Sequence, residues 1–354
     1  MEIKKGIVKE EFGRIDNEQV FLFTLTNARG HQVKITNYGG IVTSWTTSDA
    51  RGEQSGIVIG FGDFDKYKNN SPYFGALIGR FANRIFNGKF TLDGKAIQLA
   101  ANDAPHHLHG GRKGFDQAIW QYREENQPAP TLLLSYASKD GEEGYPGNVM
   151  IEVRYAFTDE DELSIEYHAE TDKATPLNLT NHCYFNLAGS EKPSPVTDHY
   201  LQVNADNYTS FDSDPESAGS LLPVDGTPFD FRKEKKIGRD IEQAGALAYD
   251  QNFALNKQSG DLEKAATLRD DQSGRSLEVY TTQPGMQLYT GYYLDGSFIT
   301  DSGNPVGYRT ALCLETQHFP DSPNRSSFPT TILRAGEKFY SKTVYRVSTR
   351  DSSN

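Results

Sequence analysis

Positive charge is in short supply in this 354-residue chain: 36 Lys and Arg stand against 48 Asp and Glu, a formal charge of −12. With no basic stripe to collect phosphates, nucleic acid and anionic membrane surfaces are poor candidate partners. The longest apolar runs fall far short of a bilayer span. Met1 is followed by Glu2, Lys4 and Lys5, not by the apolar core of a secretion signal. A soluble, cytoplasmic protein is expected. Cysteine is scarce too. Cys183 and Cys313 are read as buried free thiols and not as a bridge. Neither G-x-x-x-x-G-K-S/T nor G-x-G-x-x-G occurs, and no H-E-x-x-H helix is present. No nucleotide, redox or metal cofactor is expected.

Turn formers, by contrast, are plentiful, with 32 Gly and 16 Pro, and aromatics make up 12%. Period-2 alternation recurs along the chain. Val149, Ile151, Val153, Tyr155 and Phe157 alternate with wetter residues, and after Asp159-Glu160-Asp161 the pattern resumes at Leu163, Ile165, Tyr167 and Ala169. Similar runs occupy 19–25, 32–36, 88–99, 131–137, 200–204, 276–282, 286–290, 311–317 and 339–348. Helical periodicity is rare, and 233–245 is its best candidate. Roughly fifteen or more strands follow from this pattern. No Pro/Gly/Ser-rich break divides them, so a single all-β domain over 1–354 is expected, built as a large antiparallel sandwich.

The stretch 177–187 is unusual for a strand. Asn178, Thr180, His182, Tyr184 and Asn186 fall on one face, and each can hydrogen-bond; the other face is mostly apolar, with Asn181 the exception. A row of donors and acceptors suits a polyhydroxylated ligand. Glu315 follows the apolar and small residues Ala311-Leu312-Cys313-Leu314. A carboxylate emerging from such a run is either partnered or chemically active, because burying it alone is costly. Gly79–Ile85 carries Arg80, Asn83 and Arg84, which either pair with surface carboxylates or form donors for a ligand. His106-His107-Leu108-His109-Gly110-Gly111 lacks carboxylates at a recognised ligand spacing, so a metal is disfavoured. Its two glycines permit a ligand or another strand to pass closely. Asp250 alone would read as a turn aspartate. A histidine and a carboxylate on a sugar-shaped polar face suit proton shuttling at a hemiacetal, which needs no cofactor.

The chain resembles the aldose 1-epimerase family through most of its length. The resemblance is carried by Asn37-Tyr38-Gly39-Gly40, Gly79–Ile85, Leu108–Gly111 with Gly114-Phe115-Asp116, Asp140–Gly147, Asn178–Gly189, Gly226–Asp230, Glu278–Gly291 and Cys313–Gln317. It implies a β-sandwich of the galactose mutarotase type acting on hexoses such as galactose and glucose. It further implies His182 as general acid, Glu315 as general base, and His109 near the ring oxygen. Asn83, Arg84, Tyr184, Asp250 and Gln287 would hold the sugar, with Arg84 preferred over Arg80. His106, His107 and Gln251 depart from the family's usual residues and bear on substrate preference. Competing readings are a non-catalytic carbohydrate-binding protein, a hexose-phosphate epimerase of the same fold, and a glycoside hydrolase using Asp250 and Glu315. Whether the chain is a monomer or homodimer is left open.

Overall fold

The computed structural model describes residues 4–68, 71–210, 220–258 and 260–350. Three main sheets organise them. The largest has nine strands in the order Gln121–Glu125, Thr131–Ser138, Val149–Phe157, Glu162–Thr171, Lys338–Thr349, Arg275–Thr281, Glu263–Arg269, Tyr200–Val203 and Lys235–Lys236. A six-stranded sheet runs Tyr184–Phe185, Leu312–Gln317, Gly285–Tyr289, Asp250–Leu255, Ala205–Thr209 and Leu221–Pro223. Residues Gly6–Ile15 to Gln54–Gly56 form a five-stranded meander. Neighbouring strands in all three sheets pair antiparallel, as expected from the short turns.

The expected strands are present, with 88–99 resolved into a hairpin of Lys89–Leu92 and Lys95–Gln98. Gly6–Ile15 was not expected. Its sequence GIVKEEFGRI breaks alternation at two adjacent glutamates, and none of its residues is fully buried. An edge strand with no dry face carries no period-2 signal. The helix expected over 233–245 is absent. Two 3-10 turns, Ile237–Arg239 and Ile241–Gln243, stand there instead. Buried Lys235 reaches the Pro228 carbonyl and Asp240 at 2.6 and 2.8 Å, and Gly238 lies so close to Thr197 that a Cβ would meet its carbonyl oxygen at 2.9 Å. These tertiary contacts hold the segment in short turns.

Alternation gives the six-stranded sheet two unlike faces. Leu312 and Leu314 point with Met286, Leu288 and Phe253 into the main core, where they join Leu277, Val279 and Tyr345 of the nine-stranded sheet. Across the layers the Tyr345 hydroxyl donates to the Leu314 carbonyl at 2.8 Å. The opposite face carries Cys313 and Glu315, the residues between those leucines. Cross-strand partners share a face, so register builds two rows there. Tyr184, Cys313, Tyr289 and Asp250 form one, and Glu315, Gln287 and Asn252 form the other.

Arg80 and Arg84, alike in sequence, part company here. Arg80 is 2% exposed and donates to the carbonyls of Pro146, Gly147 and Lys139 at 2.9, 3.0 and 3.0 Å, besides the Ser138 hydroxyl. It ties its own loop to the connection between Thr131–Ser138 and Val149–Phe157. Arg80→Met should therefore lower the unfolding free energy by about 3 kcal/mol, because several buried carbonyls lose their donor. Urea denaturation checks this, and an unchanged midpoint would mean the guanidinium is dispensable.

Candidate active site

The 177–187 stretch is not one continuous strand. Thr180–Asn181 pairs with Leu77–Ile78, and Tyr184–Phe185 pairs with Leu312–Gln317. Asn181, the polar exception on the apolar face, sits at the break. Its amide donates to the Gly75 carbonyl at 2.8 Å and its oxygen accepts from Cys183 N–H at 3.1 Å. The polar row divides by task. Asn178 donates to the carbonyl of Ala82 and accepts from His318 N–H, and Asn186 donates to the carbonyls of Ser194 and Thr310. Both fasten loops. Of the row, only His182 and Tyr184 line the cavity, so the expectation of a complete ligand-facing row is corrected. Loop carbonyls need donors as much as a ligand does.

That cavity, of about 210 Å³, is lined by Pro72, Tyr73, Asn83, Arg84, Leu108, His109, His182, Tyr184, Asp250, Gln287, Tyr289, Tyr293 and Glu315. All eight expected site residues meet in it. It is smaller than the roughly 300–1,000 Å³ typical of drug-sized ligands, and suits one small ring. His182 Nε2 lies 3.5 Å from Glu315 Oε1, with both side chains almost wholly buried. Burial pushes the Glu315 carboxyl well up from its ordinary value, reinforced by the Asp250 charge and countered by Arg84. Burial likewise draws the His182 imidazole down to about 4, against a smaller upward pull from its own backbone carbonyl. Two groups so close, each with its charged form disfavoured, titrate as a pair.

Asp250 accepts from Gln287 Nε2 at 2.7 Å, and its carboxyl is raised, chiefly by burial. Arg84 pairs with Asp103 at 2.7 Å, so its guanidinium is held at the cavity wall. Tyr184 donates its hydroxyl to the Pro72 carbonyl at 2.8 Å, while its ring stacks on His182 with centroids 5.0 Å apart. It therefore also supports the imidazole from beneath.

The three histidines of 106–109 separate. His107 is buried between the Ala100 carbonyl and the Tyr145 hydroxyl, at 2.8 and 2.7 Å, and His106 Nδ1 accepts from Asn87 N–H at 3.2 Å. His109 alone reaches the cavity. It owes this to Gly110 behind it, where a Cβ would stand 1.9 Å from the Gly79 carbonyl oxygen at φ +86°. A second backbone passes there, one of the two occupants the glycines allowed.

His109, His182 and Glu315 each bring a ligand-type atom within 4.8 Å of the others, a donor set that resembles a zinc site. The tautomer of His109 argues otherwise. Its Nδ1 accepts from Asn83 N–H at 3.2 Å, and burial first of all, then the His182 charge, draws its pKa well down. A neutral ring accepting at Nδ1 carries its proton on Nε2. That nitrogen donates and has no lone pair for a metal. Incubation with EDTA should leave the activity proposed below unchanged; a loss restored by zinc would reverse this assignment.

A family model described as Aldose 1-epimerase matches residues 22–346. The chain belongs to the aldose 1-epimerase family. It is 42% identical over 317 residues to the galactose mutarotase of Homo sapiens, covering 90% of this chain and 91% of that one. To the aldose 1-epimerase of Escherichia coli it is 35% identical over 337 residues, covering 94% and 96%. Among solved structures, galactose 1-epimerase from Lactobacillus acidophilus superposes with a TM-score of 0.83 at 27% identity, covering 98% of this chain and 99% of that one. An aldose epimerase homologue from C. elegans also gives 0.83 at 29% identity, covering 92% and 98%. The fold is thus the galactose mutarotase type expected of this family member.

Apart from Tyr184, sequence reasoning left the tyrosines that line the cavity unnamed. They are Tyr73, Tyr289 and Tyr293. Tyr73 has φ +64° and packs its ring on His109 and His182, with centroids 4.7 and 5.8 Å away. Nothing in local sequence marks an aromatic residue that a loop delivers. Tyr289 did carry a signal, since it lies two positions from Gln287 on one strand and shares its face.

Proposed function

We propose that this chain interconverts the α and β anomers of hexoses such as galactose and glucose by acid–base ring opening. The chain is an isomerase, an aldose 1-epimerase. What supports the residue roles is one observation: a buried imidazole and a buried carboxylate 3.5 Å apart at the wall of a ring-sized cavity.

In the working state the pair shares one proton, written as imidazolium and carboxylate. Glu315 takes the proton from O1, the C1–O1 double bond forms, and the C1–O5 bond breaks as His182 Nε2 protonates O5. Rotation about C1–C2 presents the other carbonyl face, and the reverse transfers close the ring. Glu315 Oε2 is buried without a hydrogen-bond partner, which leaves it a lone pair for a hydroxyl. His109 Nε2–H adds a donor for a sugar oxygen. Asp250, Gln287, Asn83, Arg84 and Tyr184 hold the remaining hydroxyls, and Tyr73, Tyr289 and Tyr293 offer faces to the sugar's C–H surface. Positioned acid and base each contribute roughly 10²–10⁴-fold. We take residues 1–354 as one catalytic domain acting in the cytoplasm. Among the described residues no helix is long and apolar enough to cross a membrane.

Glu315→Gln preserves shape and removes the base. Polarimetry on fresh α-galactose should show at least a hundred-fold slower equilibration; wild-type speed would dismiss the assignment. A binding protein without activity would leave the optical-rotation decay unchanged at any concentration, and a hydrolase would release reducing sugar from an aryl glycoside.

The pH profile follows from the signs above. The singly protonated pair takes up a second proton as pH falls through the depressed His182 value, about 4, and loses its only proton as pH rises through the elevated Glu315 value. Activity, read as kcat/KM, should hold to well below the ordinary histidine pKa and fall only as pH approaches about 4. An acid limb centred near 6.5, the ordinary histidine value, would show that the imidazole titrates independently of its carboxylate.

A further inference from the structure

Behind His182, on the side away from Glu315, lies Cys313. The two residues are two positions apart on the strand Leu312–Gln317, so their side chains leave the same face. They grip the imidazole from its two ends. Cys313 Sγ is 3.4 Å from Nδ1, and Glu315 Oε1 is 3.5 Å from Nε2. Cys313 is fully buried. We propose that Cys313 is the positioning residue that holds a hydrogen on His182 Nδ1 in both charge states of the ring, so that Nε2 alone gives and takes the proton on the cavity side. This deepens the reading of His182 as the acid and rests on it.

A thiol is both a weak donor and a weak acceptor. Burial, with the Glu315 charge adding to it, pushes the Cys313 thiol well up, so it stays S–H. Once Nε2 has passed its proton on, the neutral ring keeps its single hydrogen on Nδ1, directed at a sulfur lone pair, and the Nε2 lone pair faces the cavity. When the ring regains its second proton, on reclosure of the sugar or from Glu315, it does so at Nε2, and Nδ1–H stays on the sulfur. The rival acceptor for Nδ1–H is His182's own carbonyl, which already accepts Gly75 N–H at 3.0 Å. A carboxylate in the place of this sulfur would stabilise the imidazolium and weaken it as an acid. The thiol orients the ring without doing so. Stacking of Tyr184 and Tyr73 on the ring, with interplanar angles of 29° and 30°, fixes the ring plane but not which nitrogen bears the proton. That choice falls to the groups at its two edges.

The test uses the full chain labelled with ¹⁵N-histidine, in wild type, Cys313→Ala, Cys313→Val and Cys313→Ser. Two-bond ¹H–¹⁵N spectra at pH 7 report the His182 tautomer directly. In the neutral ring, wild type and Cys313→Ser should show the Nδ1–H tautomer alone, whereas Cys313→Ala and Cys313→Val should show a mixture. In the same two variants kcat should fall about five- to ten-fold with KM within two-fold, and Cys313→Ser should retain most of the rate. Cys313→Val fills the space that Cys313→Ala empties, so a loss seen only in Cys313→Ala would be a packing effect and would overturn the proposal. An Nε2–H tautomer in wild type, or an unchanged tautomer in both apolar variants, would overturn it as well. A wild-type protein that fails to accelerate mutarotation would sink the functional reading while leaving the tautomer measurement to judge Cys313.

Discussion

Everything about this site turns on a carboxylic acid on one face of a β-sheet and an imidazole that the neighbouring segment lays against it, both cut off from water. Glu315 and His182 have been stripped of water, and each therefore resists its own charge. Only together do they accommodate a proton that moves easily from one to the other, because the ion pair and the neutral pair become close in energy. A sugar hydroxyl brought between them completes a path with no large change in charge at either end.

The sheet makes that face affordable by giving its reverse side to the core. Leu312 and Leu314 bury against the nine-stranded sheet while Cys313 and Glu315, one residue along, look the other way. Antiparallel register then sets Gln287 and Asn252 level with Glu315, and Tyr289 and Asp250 level with Cys313. The polar face is built on central strands, whose neighbours and core packing resist displacement. The donors that loops contribute are anchored in turn. Arg84 rests on Asp103, and His109 stands on a glycine pressed against another backbone.

Several residues that look functional in the sequence hold the frame instead. Arg80 caps loop carbonyls, His107 links Ala100 to Tyr145, and Asn178 and Asn186 fasten segments distant in the chain. Buried backbone in irregular segments requires such partners, and a protein with this many turns recruits Asn, Arg and His to supply them. Composition cannot separate these from ligand-facing residues of the same type, because the chemistry demanded is the same. Conversely, Tyr73 enters the site from a loop without periodicity, and only its placement reveals it.

Strand alternation, turn residues and one carboxylate at the end of an apolar run were enough to establish from sequence an all-β protein with a partnered or reactive Glu315. The ordered motifs were enough to establish its family. The resemblance had already singled out Arg84 and His109; tertiary structure decided what Arg80, His106 and His107 do instead, and what stands behind His182. It also turned a supposed helix at 233–245 into two short turns around a buried lysine. The reason is physical. Periodicity records which way a side chain points from its own strand, whereas function depends on what another strand, hundreds of residues away, places opposite it.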